Sequence, residues 1–141
     1  AMHTRGRQTV TVLGDGDFLM GASALWSAVH AKVPMLVVIN NNRSYFNDEL
    51  HQETVARRRN RPVGNRWIGQ RIADPEVDIA GLCNSYGGVG IGPVKTAKEL
   101  EAAIAKGVEA LKAGKVCVID CHVNPGEERS ARSTIEDRKA D

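Results

Sequence analysis

Two polar clusters hold the residue types that chemistry would need, Gly14-Asp15-Gly16 and Asn40-Asn41-Asn42-Arg43-Ser44. Asp15 offers a carboxylate and Asn42 an amide oxygen. The turn after Asn42 can point a main-chain carbonyl inward, Ser44 being its donor. Hard oxygen donors of this kind suit Mg²⁺ or Ca²⁺, and Mg²⁺ would complete its shell with phosphate oxygens and water. Gly16 lets the backbone approach a phosphate closely, and a helix N-terminus behind it favours an anion. The chemistry implied is a divalent cation pinning a diphosphate to the edge of a sheet. Each cluster alone has an ordinary explanation, a Gly-Asp-Gly turn or an Asn-rich loop. Their placement after two successive strands is what sets them apart.

Those strands and the helix between them are legible as hydrophobic patterns. Thr9 to Leu13 alternates and is β-branched, which predicts a strand running into the glycine turn. From Asp17 to Lys32, Leu19, Ala22, Trp26 and Val29 recur at three- and four-residue spacing, which predicts one helix with Asp17 as its N-cap. Met20 and Trp26 read as core residues. Met35 to Ile39 is a continuous apolar run, typical of a strand buried on both faces of a parallel sheet. In such open sheets ligands bind beyond the C-terminal strand ends, where both clusters fall.

The stretch from Asn40 to Trp67 is polar and without clear period. Asp74-Pro75-Glu76 predicts a capped helix start before Val77, Ile79, Leu82 and Cys83, ended by Gly87-Gly88. Val89 to Ile91 reads as a short strand. Thr96 and Glu99 form a capping-box pattern opening a helix through Leu100, Ile104, Val108 and Leu111, stopped near Gly114. Val116 to Val123 is the last strand. The result is an α/β fold, a doubly wound parallel sheet in three layers. One domain spans residues 1–126, and the charged tail 127–141 is expected to be flexible.

Gly14-Asp15-Gly16, then Asp17 to Asn40, then Asn41-Asn42 resembles the signature of thiamine diphosphate-dependent enzymes. Ser23-Ala24-Leu25-Trp26 and Val33-Pro34 look like the branch containing acetolactate synthase and benzoylformate decarboxylase. The resemblance implies the thiamine diphosphate-binding fold, with Asp15 and Asn42 as side-chain metal ligands for Mg²⁺ and Ser44 as the carbonyl ligand. It places Gly14, Gly16, Asp17 and Tyr45 at the cofactor, with the amides of Gly16 and Asp17 on the diphosphate. It further implies a lyase or transferase acting on a 2-oxo acid or related carbonyl, by decarboxylation or carboligation. Many relatives have Ser or Ala where this chain has Asp17, and a carboxylate there would repel a diphosphate unless it turned away. The family's diphosphate-binding domain also usually begins well before Thr9. The glutamate that activates the cofactor's far ring comes from a pyrimidine-binding domain, normally of a neighbouring subunit. The resemblance therefore covers the C-terminal portion of one domain, in a protein expected to be a homodimer or homotetramer.

Further candidates surround this centre. Tyr45 to Gln52 would border the reactive carbon, and in some decarboxylases an acid falls at the place of Asp48, where it could move protons. Asp48 and Glu49 could equally open a surface helix. His51 reads as a solvated or capping histidine. Arg57, Arg58, Arg59, Arg61, Arg66 and Arg71 surround Pro62-Val63-Gly64. They are either a lid gripping an anionic substrate or a solvated or subunit-contacting face. The segment Asn47 to Trp67 is expected to be mobile without cofactor. Cys117 and Cys121 share a strand face and read as buried thiols.

Composition bounds the alternatives. The chain has 141 residues with 42% hydrophobic and 4% aromatic content and a formal net charge of +2. That balance gives no pull toward nucleic acid, and only Trp67 interleaves the arginines as a stacking residue. No apolar run is long enough to span a membrane. Three cysteines without metal-ligand spacing suit the reducing cytoplasm. A non-catalytic diphosphate- or nucleotide-binding regulatory or assembly subunit is the alternative function.

Overall fold

The computed structural model describes residues 8–124, so the charged tail expected at 127–141 lies outside the described residues. The elements in chain order are β1 (Val10–Gly14), α1 (Asp15–Met20), α2 (Ala24–His30), β2 (Met35–Asn41) and α3 (Phe46–Arg58). They continue with α4 (Ile79–Ser85), β3 (Val89–Val94), α5 (Ala97–Lys112) and β4 (Val116–His122). The four strands form one sheet in the order β1-β2-β4-β3, and every neighbouring pair is parallel. The two central strands, β2 and β4, are the two continuous apolar runs, whereas β1 alternates exposed and half-buried residues at an edge. Its Val10 and Val12 are exposed, in register with Leu36 and Val38.

Side-chain alternation along the strands divides the core between two faces. Val37, Ile39, Val116 and Val118 pack with Phe18 of α1, Leu25 of α2, and Ile79 and Cys83 of α4. Leu36, Cys117, Ile119 and Cys121 pack on the other face with Ala103 and Leu111 of α5. Helices thus cover both faces of a parallel sheet, the three-layer arrangement expected. Cys117 and Cys121 are core thiols on one strand face, as their spacing predicts.

Several local expectations are corrected. The single helix expected from Asp17 to Lys32 is two helices with a turn at 21–23, because Gly21, a poor helix former, ends α1 with its N–H on Phe18 O at 3.1 Å. Gly14 rather than Asp17 is the N-cap, and Asp17 is an exposed first-turn residue. Leu19, Ala22 and Val29 pack against the core as predicted. Met20 and Trp26 do not, at 72% and 54% exposed, since the break lets Phe18 and Leu25 take the buried positions. The Trp26 ring instead stacks on His30, with centroids 4.9 Å apart.

The polar stretch after β2 contains α3, a helix with Glu49 as its only buried residue. Acidic Asp48 and Glu49 in its first turn and Arg57 and Arg58 in its last complement the helix dipole. Glu53 and Arg57 pair one turn apart at 2.7 Å. The cap of α4 is Asp78, whose Oδ1 accepts from Gly81 N–H at 2.7 Å, rather than Asp74. Residues 73–76 are taken up by an antiparallel bridge between Ala73 and Glu76. β3 runs on to Val94, with an irregularity between Ile91 and Val94. The capping box of α5 is formed: Glu99 N–H donates to Thr96 Oγ1 at 3.2 Å, and Thr96 N–H to Glu99 Oε2 at 3.1 Å.

Candidate functional site

Strand register brings the two polar clusters together. Gly14 is paired with Asn40, Asn40 with Cys121, and Asn41 with His122, so β1, β2 and β4 end side by side. Asp15, the first residue of α1, is only 2% exposed, and its Oδ2 has no hydrogen-bond partner among the described residues. Burial pushes its carboxyl up from the ordinary range, while hydrogen bonds from the backbone of Asp15, Gly16, Ser44 and Asn42 act in the opposite sense. A buried, incompletely partnered carboxylate is costly to an isolated fold and well suited to a cation.

The loop after β2 is held from several sides. Asn41 is buried: its Nδ2 donates to Asp120 Oδ1 at 2.9 Å, and its Oδ1 accepts from Arg43 N–H at 3.1 Å. Arg43 turns through a left-handed conformation, φ 59°, and Asn42 Oδ1 accepts from Ser44 N–H at 2.9 Å across that turn. Asn41 and Asn42 thus differ in role. Asn41 is a buried brace, while Asn42 lies half-buried at the turn with a lone pair of its amide oxygen free for a further partner. A second strand of chain braces the loop, since Ile72 N–H donates to Arg43 O at 2.8 Å and Tyr45 N–H to Gln70 O at 2.9 Å. Tyr45 also reaches back to α1. Its hydroxyl donates to Gly16 O at 3.3 Å, and its ring lies where a Cβ at position 16 would stand. Glycine is required there by this contact.

Two participants had no signal of their own in the sequence. Asp120, buried in β4, accepts from Asn41 and lies 3.3 Å from His122 Nε2. His122 Nδ1 is 3.3 Å from Arg43 Nη1, a group that can only donate, so the hydrogen bonds place the ring proton on Nε2, toward Asp120. Glu49 is the other. It is 2% exposed, accepts the Ser44 hydroxyl at 2.5 Å, and lies within 4 Å of both Arg66 and Arg71. A groove of about 510 Å³ opens beside Ser44, lined by Asn42, Glu49, Glu53, Arg66 and Arg71 among others. Asp48, the sequence candidate for proton transfer, is exposed in the first turn of α3 and is not part of that lining. His51 is exposed.

Three arginines of the cluster, Arg57, Arg66 and Arg71, are answered by carboxylates of α3. Arg57 and Arg66 both pair with Glu53, and their hydrogen bonds hold its carboxyl below the usual range. Arg71 also stands 5.7 Å from the Trp67 ring centroid, within cation–π reach. Among the described residues no three His, Cys, Asp or Glu side chains cluster to hold a metal. The donors at Asp15, Asn42 and Ser44 comprise one carboxylate, one amide oxygen and one main-chain carbonyl. That set fits a cation completed by phosphate and water. No helix among the described residues is long and apolar enough to cross a membrane.

Residues 1–121 match the thiamine pyrophosphate enzyme family in its C-terminal TPP binding domain, and the chain belongs to that family. The cofactor of this domain is thiamine diphosphate. The fold is similar to that of a thiamine diphosphate-dependent 4-hydroxybenzoylformate decarboxylase from Rhodococcus jostii RHA1. That match has a TM-score of 0.65 and 27% identity, covering 89% of this chain and 21% of that one. A second structure, of a protein from Mycobacterium smegmatis, shares the fold. Its TM-score is 0.53 at 23% identity, over 84% of this chain and 18% of that one. The chain therefore spans about a fifth of the length of either protein. No curated protein sequence matches it.

Proposed function

We propose that this chain holds Mg²⁺ and the diphosphate of thiamine diphosphate, within an enzyme that decarboxylates a 2-oxo acid or joins the product to a second carbonyl. The observation that carries this reading is the buried Asp15 carboxylate, whose Oδ2 has no hydrogen-bond partner among the described residues, at the strand end beside the loop that bears Asn42 and Ser44. Asp15 supplies the charge for the cation, and Asn42 Oδ1 and the Ser44 carbonyl supply neutral oxygens. Main-chain amides of Gly16 and Asp17 serve the diphosphate, and the Asp17 side chain, being exposed, need not oppose it. Tyr45, laid on Gly16, fixes the distance between the two clusters. When bound, the cofactor supplies a nucleophilic carbon and an electron sink next to the substrate carbonyl. The groove beside Ser44 has the size of a small-molecule site and is the candidate substrate pocket. Likeness to a 4-hydroxybenzoylformate decarboxylase favours an aryl 2-oxo acid. Activation of the cofactor's far ring falls to a pyrimidine-binding domain, in a homodimer or homotetramer. Three buried free thiols suit a reducing cytoplasm.

Calorimetry on the full-length protein with thiamine diphosphate and with ADP, each with Mg²⁺, tests the reading together with carbon dioxide release from benzoylformate, pyruvate and oxalyl thioesters. Selective binding of thiamine diphosphate with turnover is expected. Preference for ADP without turnover would favour a regulatory nucleotide-binding module instead.

A further inference from the structure

Glu49 is a buried carboxylate on a helix that is otherwise solvated or half-buried. Nothing in the packing of α3 demands a charge there, because an apolar side chain would fill the same place without the penalty of desolvation. Its partners explain it. Oε1 accepts the Ser44 hydroxyl at 2.5 Å and lies 3.7 Å from Arg71 Nε, while Oε2 lies 3.9 Å from Arg66 Nε. Ser44 and Arg71 are also joined through their main chains by an antiparallel bridge. One carboxylate thus ties the loop bearing Asn42 and Ser44 to the arginine segment that walls the groove.

We propose that Glu49 is a positioning residue for the cation site. Its carboxylate holds the Ser44 hydroxyl, and through it the position of residue 44, and ties Arg66 and Arg71 to it, so cation binding and the ordering of residues 66–72 become one equilibrium. By linkage, whatever holds the arginine segment in place tightens cation binding by the same factor. This inference rests on the metal reading of the site given above.

The test uses Mn²⁺ in place of Mg²⁺ on the full-length protein with thiamine diphosphate, reading free Mn²⁺ by electron paramagnetic resonance and residues 66–72 by hydrogen exchange. Glu49→Ala should weaken Mn²⁺ binding about 10–100-fold, the range for loss of a group that orients a ligand. Ser44→Ala should give a similar loss, and the double variant little more, since both delete one contact. Glu49→Gln keeps an acceptor for the hydroxyl but not the charge toward the arginines. It should retain more of the affinity while losing the Mn²⁺-induced protection of 66–72. If Glu49→Ala fails to fold, Ser44→Ala and Glu49→Gln carry the same test. Equal Mn²⁺ affinity in all variants, with unchanged protection of 66–72, would overturn this inference alone. Absence of Mn²⁺ binding by the unaltered protein would overturn the metal reading and this inference with it.

Discussion

Asn41 Nδ2 and Asp120 Oδ1 lie 2.9 Å apart and 79 residues apart in sequence, and both side chains are buried. This bond holds the last residue of β2, just before the loop bearing Asn42 and Ser44, to the C-terminal end of β4. Asp120→Ala would leave the Asn41 amide without its acceptor, at a cost of about 1–3 kcal/mol. Urea unfolding should show that loss, and Mg²⁺ affinity should fall about 10–100-fold because Asn42 loses its support. Unchanged Mg²⁺ affinity in a destabilised variant would show that the brace serves the fold alone.

Asp15→Asn should separate stability from binding. Burial raises the folded-state pKa of Asp15, so in the metal-free protein its ionisation opposes folding. Below the unfolded value of about 3.8 both states are protonated and there is no penalty; as pH rises through the folded value the penalty becomes complete. The metal-free Asp15→Asn variant should therefore melt higher than the unaltered protein at neutral pH, the difference vanishing in acid. Mg²⁺-dependent retention of thiamine diphosphate should be abolished in the same variant. In the unaltered protein Mg²⁺ affinity should rise with pH through the Asp15 titration. Melting curves against pH and calorimetry check both statements.

Gly16→Ala should place a methyl group against the Tyr45 ring and weaken cofactor binding by displacing the loop. Tyr45→Phe keeps the ring and removes only the 3.3 Å hydrogen bond to Gly16 O, an expected cost of about 0.5–1.5 kcal/mol. Combining Gly16→Ala with Tyr45→Ala should recover part of the loss, since the smaller side chain makes room. A double-mutant cycle on urea stability measures the coupling.

The parts of this molecule that were legible in the sequence are those whose burial follows a period. Central strands β2 and β4 are unbroken apolar runs, and the α5 capping box is a local pattern of two residues. The glycine turn and the asparagine loop could be placed at strand ends for the same reason. The helix that Asp48 and Glu49 could open was legible as an alternative, but its length was not, because the one buried residue of α3 is Glu49, which looks like any solvated acid until Ser44, Arg66 and Arg71 gather around it. The α1–α2 break depends on a single glycine, and glycine alone does not distinguish a tolerated helical position from a stop. Asp120 was invisible for a different reason. Its partner is chosen by strand order, which local pattern does not encode.

The three thiols should be unreactive in the native protein. Burial, with a smaller contribution from Cys83, pushes Cys117 up to about 11, and burial also raises Cys83 and Cys121. The nucleophilic thiolate is therefore scarce at pH 8 as well as inaccessible. Iodoacetamide followed by mass spectrometry should find almost no alkylation of the folded protein at pH 8. In denaturing urea all three should be labelled. Rapid labelling of Cys117 alone in the native state would show that the sheet opens locally at β4.

The strand order β1-β2-β4-β3 also sets a schedule for synthesis. β2 emerges from the ribosome well before β4, which supplies its second neighbour. Until β4 appears, a strongly apolar edge of β2 is bare, and Asn41 waits for Asp120. Non-local parallel pairing of this kind is slow and exposes the chain to wrong partners while it is pending. A stalled nascent chain ending before Val116 should accordingly be held by chaperones and cut readily by protease, whereas one extended past His122 and clear of the exit tunnel should resist.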